Sequence, residues 1–267
     1  MPRVAHGHLA FERAQERTAV RTAWSESPLR LLTPRNHGGA AWAYTSTLGG
    51  GLLDGDRLHL RIDVAANARA LVTSQGPTRV FRSAGGCESE VEARVEAGAL
   101  LALVPAPAAC FAGARFGQRT SVDLAKGASL ALWDVLSAGR DRWDFAGYRS
   151  AIAVRREGRA VLDEAWLLDA HHGSLRERFG RFQALGTLVL AGPLFEVGAV
   201  RSAVDAQPLR PGAALMQSAS PLGPDALVVR LAAERVEILL SALREHLGAL
   251  RTALGDDPWR LDAPHAA

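Results

Sequence analysis

What most constrains this chain is a turn residue that returns about every thirty positions. The stretches "VAANARALV" (64–72), "VEAGALLAL" (95–103) and "LAKGASLAL" (124–132) each place an apolar residue, two variable ones, Asn or Gly, a small residue and an apolar run. "VRREGRAVL" (154–162) is a weaker fourth copy. The turn positions Asn67, Gly98, Gly127 and Gly158 are spaced by 31, 29 and 31 residues. Asn and Gly tolerate the positive φ that a tight turn between strands demands. A short strand–turn–strand unit cannot bury its apolar face alone, whereas stacked copies bury a common core. The even period predicts a coiled, solenoid-like sheet. A sandwich of similar hairpins would leave the same pattern.

Between the turns the chain reads as strands. "DRLHLRIDV" sets Leu58, Leu60, Ile62 and Val64 on one face against Arg57, His59, Arg61 and Asp63 on the other, the period of a half-buried strand. "SEVEARVEAG" (89–98) repeats the alternation, with Val91, Ala93 and Val95 opposing Glu90, Glu92 and Arg94, and the row Glu88, Glu90, Glu92 on one face reads as a solvated sheet edge. After about residue 230 the period changes. Val236, Leu240, Leu243, Leu247, Leu250 and Leu254 step by 4, 3, 4, 3, 4, which predicts one amphipathic helix over about 233–254 that docks on the sheet. Gly255 and Pro258 end it. The 267 residues read as one unit, β-rich over 1–230 with this helix behind.

Composition removes several classes. The net charge is +3 and Lys126 is the only lysine, so the cations are arginines. No more than two are adjacent (Arg155-Arg156), which leaves a nucleic-acid footprint unsupported. No apolar run approaches 18 residues, and "MPRVAHGHLAFER" has no apolar signal core. The expectation is a cytoplasmic chain without a membrane segment, in which Cys87 and Cys110 stay free thiols.

One stretch asks for its own explanation: "TSTLGGGLLDGDRLHLRI" (45–62). It is no phosphate loop, because the G-x-x-x-x-G-K-[ST] pattern is absent and a strand follows instead of a helix. It is no calcium loop, because Asp54 and Asp56 lack the later acidic ligands. A turn remains, with Gly50, Gly51 and Gly55 in conformations closed to other residues. His6 and His8 lie near the terminus, read as mobile, and His171-His172 point oppositely in an extended segment, so neither pair forms a fixed metal site. Nucleophile motifs such as G-x-S-x-G are missing. Two further stretches, "TSQGPTRVFRS" (73–83) and "CFAGARFGQRT" (110–120), each carry Gln, Arg and an aromatic residue. Stacked coils would set these exits side by side as a polar patch or channel mouth.

With "LWDVLSAGR" (132–140) and "ALVVRL" plus the helix (226–250), these stretches resemble the UreD (UreH) family of urease accessory proteins over nearly the whole chain. Gly50, Gly51, Gly55 and Asp56 match its glycine–aspartate turn, and Thr73, Gln75, Gly76 and Arg82 its T-x-Q-G…R segment. Phe111, Ala114, Gln118 and Arg119 match the third block; Trp133, Gly139 and Arg140 match the fourth. Asp134 stands where Glu is common, and Arg79 where Lys is common. After Gly139-Arg140 the chain reads "DRWDFAGY" where the family often continues with Gly-Glu.

The resemblance implies a right-handed β-superhelix with a few helices and no catalytic residues. It also implies a scaffold or conduit that helps load Ni(II) into apo-urease beside a UreF-type helical accessory protein and a UreG-type nickel-carrying GTPase. Nickel would be in transit and not a tightly bound cofactor, and Asp56 is the candidate transient ligand lining a polar passage. Weak oxygen ligands suit transit, because a closed His/Cys site would trap nickel. The alternatives are a solenoid-type carbohydrate-active enzyme, which the 6% aromatic content leaves poor in stacking residues, and a stand-alone nickel-binding chaperone.

Overall fold

Alternation decides the strands. Leu58, Leu60, Ile62 and Val64 are buried while the residues between them face outward. The computed structural model of the chain describes residues 4–35, 38–140, 142–207 and 209–259. The ends of the predicted unit, 1–3 and 260–267, lie outside the described residues.

The first strands are β1 (Val4–Ala14), β2 (Arg17–Ser25), β3 (Leu29–Leu32), β4 (Ala41–Thr47), β5 (Arg57–Val64) and β6 (Arg69–Ser74). Then come β7 (Thr78–Val80), β8 (Cys87–Val95), β9 (Leu100–Leu103), β10 (Ala108–Cys110), β11 (Arg115–Leu124) and β12 (Ser129–Ser137). The remainder are β13 (Gly147–Arg156), β14 (Arg159–Asp169), β15 (Ala184–Ala191), β16 (Leu215–Gly223) and β17 (Ala226–Ala233). The helices are α1 (Leu175–Phe179), α2 (Val197–Asp205), α3 (Val236–His246) and α4 (Ala249–Leu254).

One sheet has the order β14-β13-β11-β8-β5-β1-β2. The other runs β16-β17-β15-β12-β9-β6-β4-β3, with β7 and β10 beside it. Pairing is parallel from β1 to β13 in the first sheet and from β4 to β12 in the second. The chain crosses between sheets at Asn67, Gly98 and Gly127, all at positive φ, and so winds a mainly β solenoid of about four turns. The expected solenoid is the one observed.

The fourth copy of the repeat is a correction. Gly158 does not cross between sheets; it turns the antiparallel hairpin β13–β14 inside the first sheet. Glu157 (φ 49) and Gly158 (φ 76) are both left-handed, as a two-residue hairpin turn of matching twist requires. The solenoid stops there because β14 runs back along β13 and forms an edge of the sheet.

The terminal helix is a second correction. It breaks at Leu247-Gly248 into α3 and α4, and the fully buried positions of α3 are Leu239, Ala242 and Leu243, with Val236 and Leu240 only partly covered. Leu239 wins because it stands over Gly186 of β15, where an added Cβ would come within 3.0 Å of its side chain. The bend then returns Leu250 and Leu254 to the same core. Helices this short are not stable on propensity. Burial of each leucine contributes about 1.5–3 kcal/mol, and Arg69 of β6 donates from Nη1 to Ala253 O at 2.6 Å, tying α4 down.

Two apolar cores result, one between the sheets and one between the outer face of the second sheet and the helices. The outer face of the first sheet meets water instead. There the Glu row lies on a central strand, not on an edge as the alternation suggested, since β8 is flanked by β5 and β11. Glu88 pairs with Arg57 at 3.3 Å, Glu92 with His59 at 3.7 Å and Glu90 with Arg119 at 4.0 Å. The cross-strand Arg–Glu partners of opposite charge keep that exposed face in register.

Candidate functional site

The core between the sheets is apolar except along one inward column. Ser89 of β8, Gln118 of β11 and Ser150 of β13 are register partners on the first sheet. Opposite them stands Asp134 of β12. Gln118 donates from Nε2 to Asp134 Oδ1 at 2.5 Å, Ser150 Oγ donates to Oδ2, and the Tyr148 hydroxyl lies 3.4 Å from Oδ1. A carboxylate from one sheet is thus held by three polar groups of the other.

Burial pushes the Asp134 carboxyl above its ordinary range, and the neighbouring Glu164 adds to this. The hydrogen bonds from Ser150, Gln118 and Tyr148 oppose the rise without cancelling it. Burial and the Asp134 charge push the Tyr148 phenol well above its usual value. A raised carboxyl binds and releases a proton nearer neutrality than a surface Asp does.

A cavity of about 350 Å³ lies against this group. Its oxygen-bearing wall includes Thr45, Thr73, Ser74, Gln118 and Asp134, with Leu58, Val72 and Leu103 between them. Gln75 and Gly76, both exposed, form part of its wall and stand at the rim. Thr73 Oγ1 donates to Val104 O at 2.8 Å, and Ser74 Oγ accepts from Ala106 N at 2.8 Å, which fixes this wall across neighbouring strands.

The fold brings Gly50, Thr73, Gln75, Gly76, Gln118, Arg119, Trp133 and Asp134 around one space. Two of them turn their side chains elsewhere. Arg119 is exposed and reaches Glu90 on the outer face. The Trp133 indole sits in the second core, donating from Nε1 to Pro105 O at 2.6 Å and stacking on Trp259 at 5.2 Å.

Gly51, Gly55, Asp56, Arg82, Phe111 and Arg140 lie outside the cavity wall. Arg140 is exposed on the turn after β12. The exits of successive coils do lie side by side, since Thr78–Val80 pairs with Ala108–Cys110 and Phe81 meets Phe111 edge-on at 5.2 Å. Their glutamines are not equivalent, however, because Gln75 precedes β7 whereas Gln118 lies within β11.

Asp56 requires a correction. Its carboxylate accepts from Leu53 N at 2.7 Å, and its own N donates to Leu53 O at 3.0 Å. It caps the glycine turn and lies outside the cavity lining. Gly50 (φ 79) and Gly55 (φ 84) take left-handed conformations there. Gly51 is extended, and its need is steric: an added Cβ would lie 2.6 Å from Arg79 O. Asp56→Ala is therefore expected to lower stability by about 1 kcal/mol, some 2–4 °C in melting temperature for a chain of this size. An unchanged melting temperature, read by calorimetry, would contradict the capping role.

The histidines are placed differently from the sequence expectation. His6 and His8 are ordered in β1. His8 Nε2 is 2.7 Å from Asp63 Oδ2, and His6 meets the His59 ring edge-on at 5.5 Å. His171 and His172 form a single helical turn, not an extended segment, which Asp169 caps by accepting from His171 N at 2.9 Å. Among the described residues no group of three or more His, Cys, Asp or Glu could hold a metal ion. Cys87 and Cys110 are free and buried, and burial pushes the Cys110 thiol up to about 12.

Sequence reasoning missed Ser150 and Tyr148. The signal was present in "YRSAIAVRR", whose inward positions Tyr148, Ser150, Ile152 and Val154 put a hydroxyl where the alternation calls for an apolar side chain. It also missed Glu164, which accepts from Arg230 across the two sheets.

Fold and cavity together define a class: a two-sheet β-solenoid with a chamber between its layers whose largely aliphatic wall carries a few polar groups. The family profile of the UreD urease accessory protein matches residues 3–263. The chain belongs to the UreD urease accessory protein family. It is similar to a urease accessory protein UreD of Sorangium cellulosum, 46% identical over 257 residues, 95% of this chain and 82% of the other. It is 40% identical to one of Anaeromyxobacter over 265 residues, 96% and 89% of the two chains. A urease accessory protein D of rice (Oryza sativa subsp. japonica) is 30% identical over 294 residues, 97% and 95% of the two.

Proposed function

We propose that this chain is a non-enzymatic accessory protein of urease maturation that helps deliver Ni(II) into apo-urease. It acts in the cytoplasm within a complex that includes a UreF-type helical protein and a UreG-type nickel-carrying GTPase. Family membership supports the maturation role. The observation that carries the transit reading is the chamber between the sheets, whose largely aliphatic wall carries hydroxyl and amide oxygens and Asp134. Neutral oxygen donors with one carboxylate hold a divalent ion loosely, which suits passage. Asp134 now takes the role of transient ligand that the sequence suggested for Asp56.

The test is co-expression of urease with its accessory proteins, with and without this chain, followed by nickel analysis of purified urease. Urease made without it is expected to carry little nickel and little activity. Equal nickel loading in both preparations would overturn the proposal.

A further inference from the structure

Metal-binding side chains also meet on the outer face of the first sheet. There β1 and β5 pair in parallel, and the register sets His6 directly beside His59. The two rings stand 5.5 Å apart between centres, with their planes at 79°. Glu92 of β8 follows on the same face, its Oε2 3.7 Å from His59 Nε2. His6 and Glu92 are exposed and His59 is half-buried, so water reaches all three. His6 N donates to Glu26 Oε2 at 3.1 Å, which holds this end of β1 in place.

Two imidazoles on one divalent ion, each with a nitrogen about 2.0–2.1 Å from it, place their ring centres about 5 Å apart. The observed separation is close to that. Rotation of the two side chains brings a nitrogen of each onto a shared ion, on a backbone that the parallel ladder already fixes. His8, two residues along β1, is engaged differently, its Nε2 lying 2.7 Å from Asp63 Oδ2. Among the described residues no third His, Cys, Asp or Glu completes a cage. Water therefore fills the remaining positions, and the ion exchanges readily.

We propose that His6 and His59 together bind a first-row divalent ion of the Ni(II) or Zn(II) kind, with water completing its shell and Glu92 beside it. Imidazole suits these ions, whereas Mg(II) and Ca(II) prefer oxygen. Glu92 adds a negative charge at the pair, where it attracts the cation and accepts from a bound water or a ring N–H. The inference is independent of nickel transit through the chamber. The histidine pair lies on the outer face and the chamber between the sheets, and either reading can fail without the other.

The experiment titrates Ni(II) chloride into the purified, untagged full chain by isothermal calorimetry in a non-coordinating buffer. The parent is expected to show one weak binding event that excess Mg(II) does not suppress. The His6→Gln, His59→Gln protein should bind roughly tenfold or more weakly. His6→Gln alone, an exposed change outside both cores, should lose most of the affinity, so a folding failure of the double variant cannot hide the answer. The histidine-matched control His171→Gln, His172→Gln should bind as the parent does. No binding by the parent, equal weakening by the control pair, or an affinity untouched by His6→Gln would overturn the proposal. So would loss of the event on Asp134→Asn, which would assign the ion to the chamber.

Discussion

Asp134→Asn is expected to reduce urease activation by roughly 10–100-fold, the scale of losing a polar group that serves a metal, while raising the protein's melting temperature. The two effects have one cause. The carboxylate sits between the sheets, and burial raises its pKa, so folding must work against its ionisation at neutral pH. Asn has the same shape and no charge. Ser150 can still donate to its oxygen, and the Gln118 amide can rotate to accept from its nitrogen. A gain of about 1 kcal/mol would appear as some 2–4 °C.

The pH dependence follows from the sign of the shift. A carboxyl raised in the folded state binds its proton there more tightly than in the unfolded chain. Its contribution is fully present below the ordinary value of 3.8 and is lost as pH rises through the higher folded value. Denaturant titrations from pH 4 upward should therefore show the Asn variant gaining on the parent as pH increases. If the variant is more stable yet activates urease normally, the carboxylate is dispensable and the transit reading of the chamber fails.

Gly98→Val should cost more than Gly127→Val, about 2–3 kcal/mol, because left-handed strain is joined by an overlap that the Asn67 side chain must swing away to relieve. Gly98 has φ 69, and a Cβ added there would lie 2.3 Å from Asn67 Oδ1 in the turn of the preceding coil. That turn is itself bonded to this one, Asn67 N donating to Ala97 O at 3.0 Å. Gly127 (φ 75) has nothing within 4 Å of such a Cβ. Gly127→Val therefore meets the strain alone, about 1–2 kcal/mol. The contrast separates the two terms. Equal losses in chemical denaturation would mean that the stacked turns do not press on one another.

Local rules account for how much of the site was legible. The glycine turn, the T-x-Q-G segment and Gln118 all stand out as residues that strand alternation alone does not require. Asp134 could be marked only through the family pattern, and Ser150 and Tyr148 were passed over because the strand's next inward positions, Ile152 and Val154, are apolar. Asp56 was misplaced for a related reason. Asp beside Gly is compatible with a cap or with a ligand, and only the 2.7 Å contact with Leu53 N decides between them.

By itself the sequence determined the strands, the turns and their stacking into coils. Period-2 alternation and the φ preferences of Asn and Gly act over two or three residues and need no distant partner. Only the tertiary structure decided where the solenoid stops, because Gly158 can serve a crossing or a hairpin equally well, and the pairing of β14 with β13 selects the hairpin. It likewise decided which leucines α3 buries, through the gap above Gly186. The chamber is the same kind of outcome. Gln118 and Asp134 are 16 residues apart and Asp134 and Ser150 another 16. They meet because two sheets close over each other, and that closure is set by the summed burial of both cores, a quantity no short stretch of sequence carries.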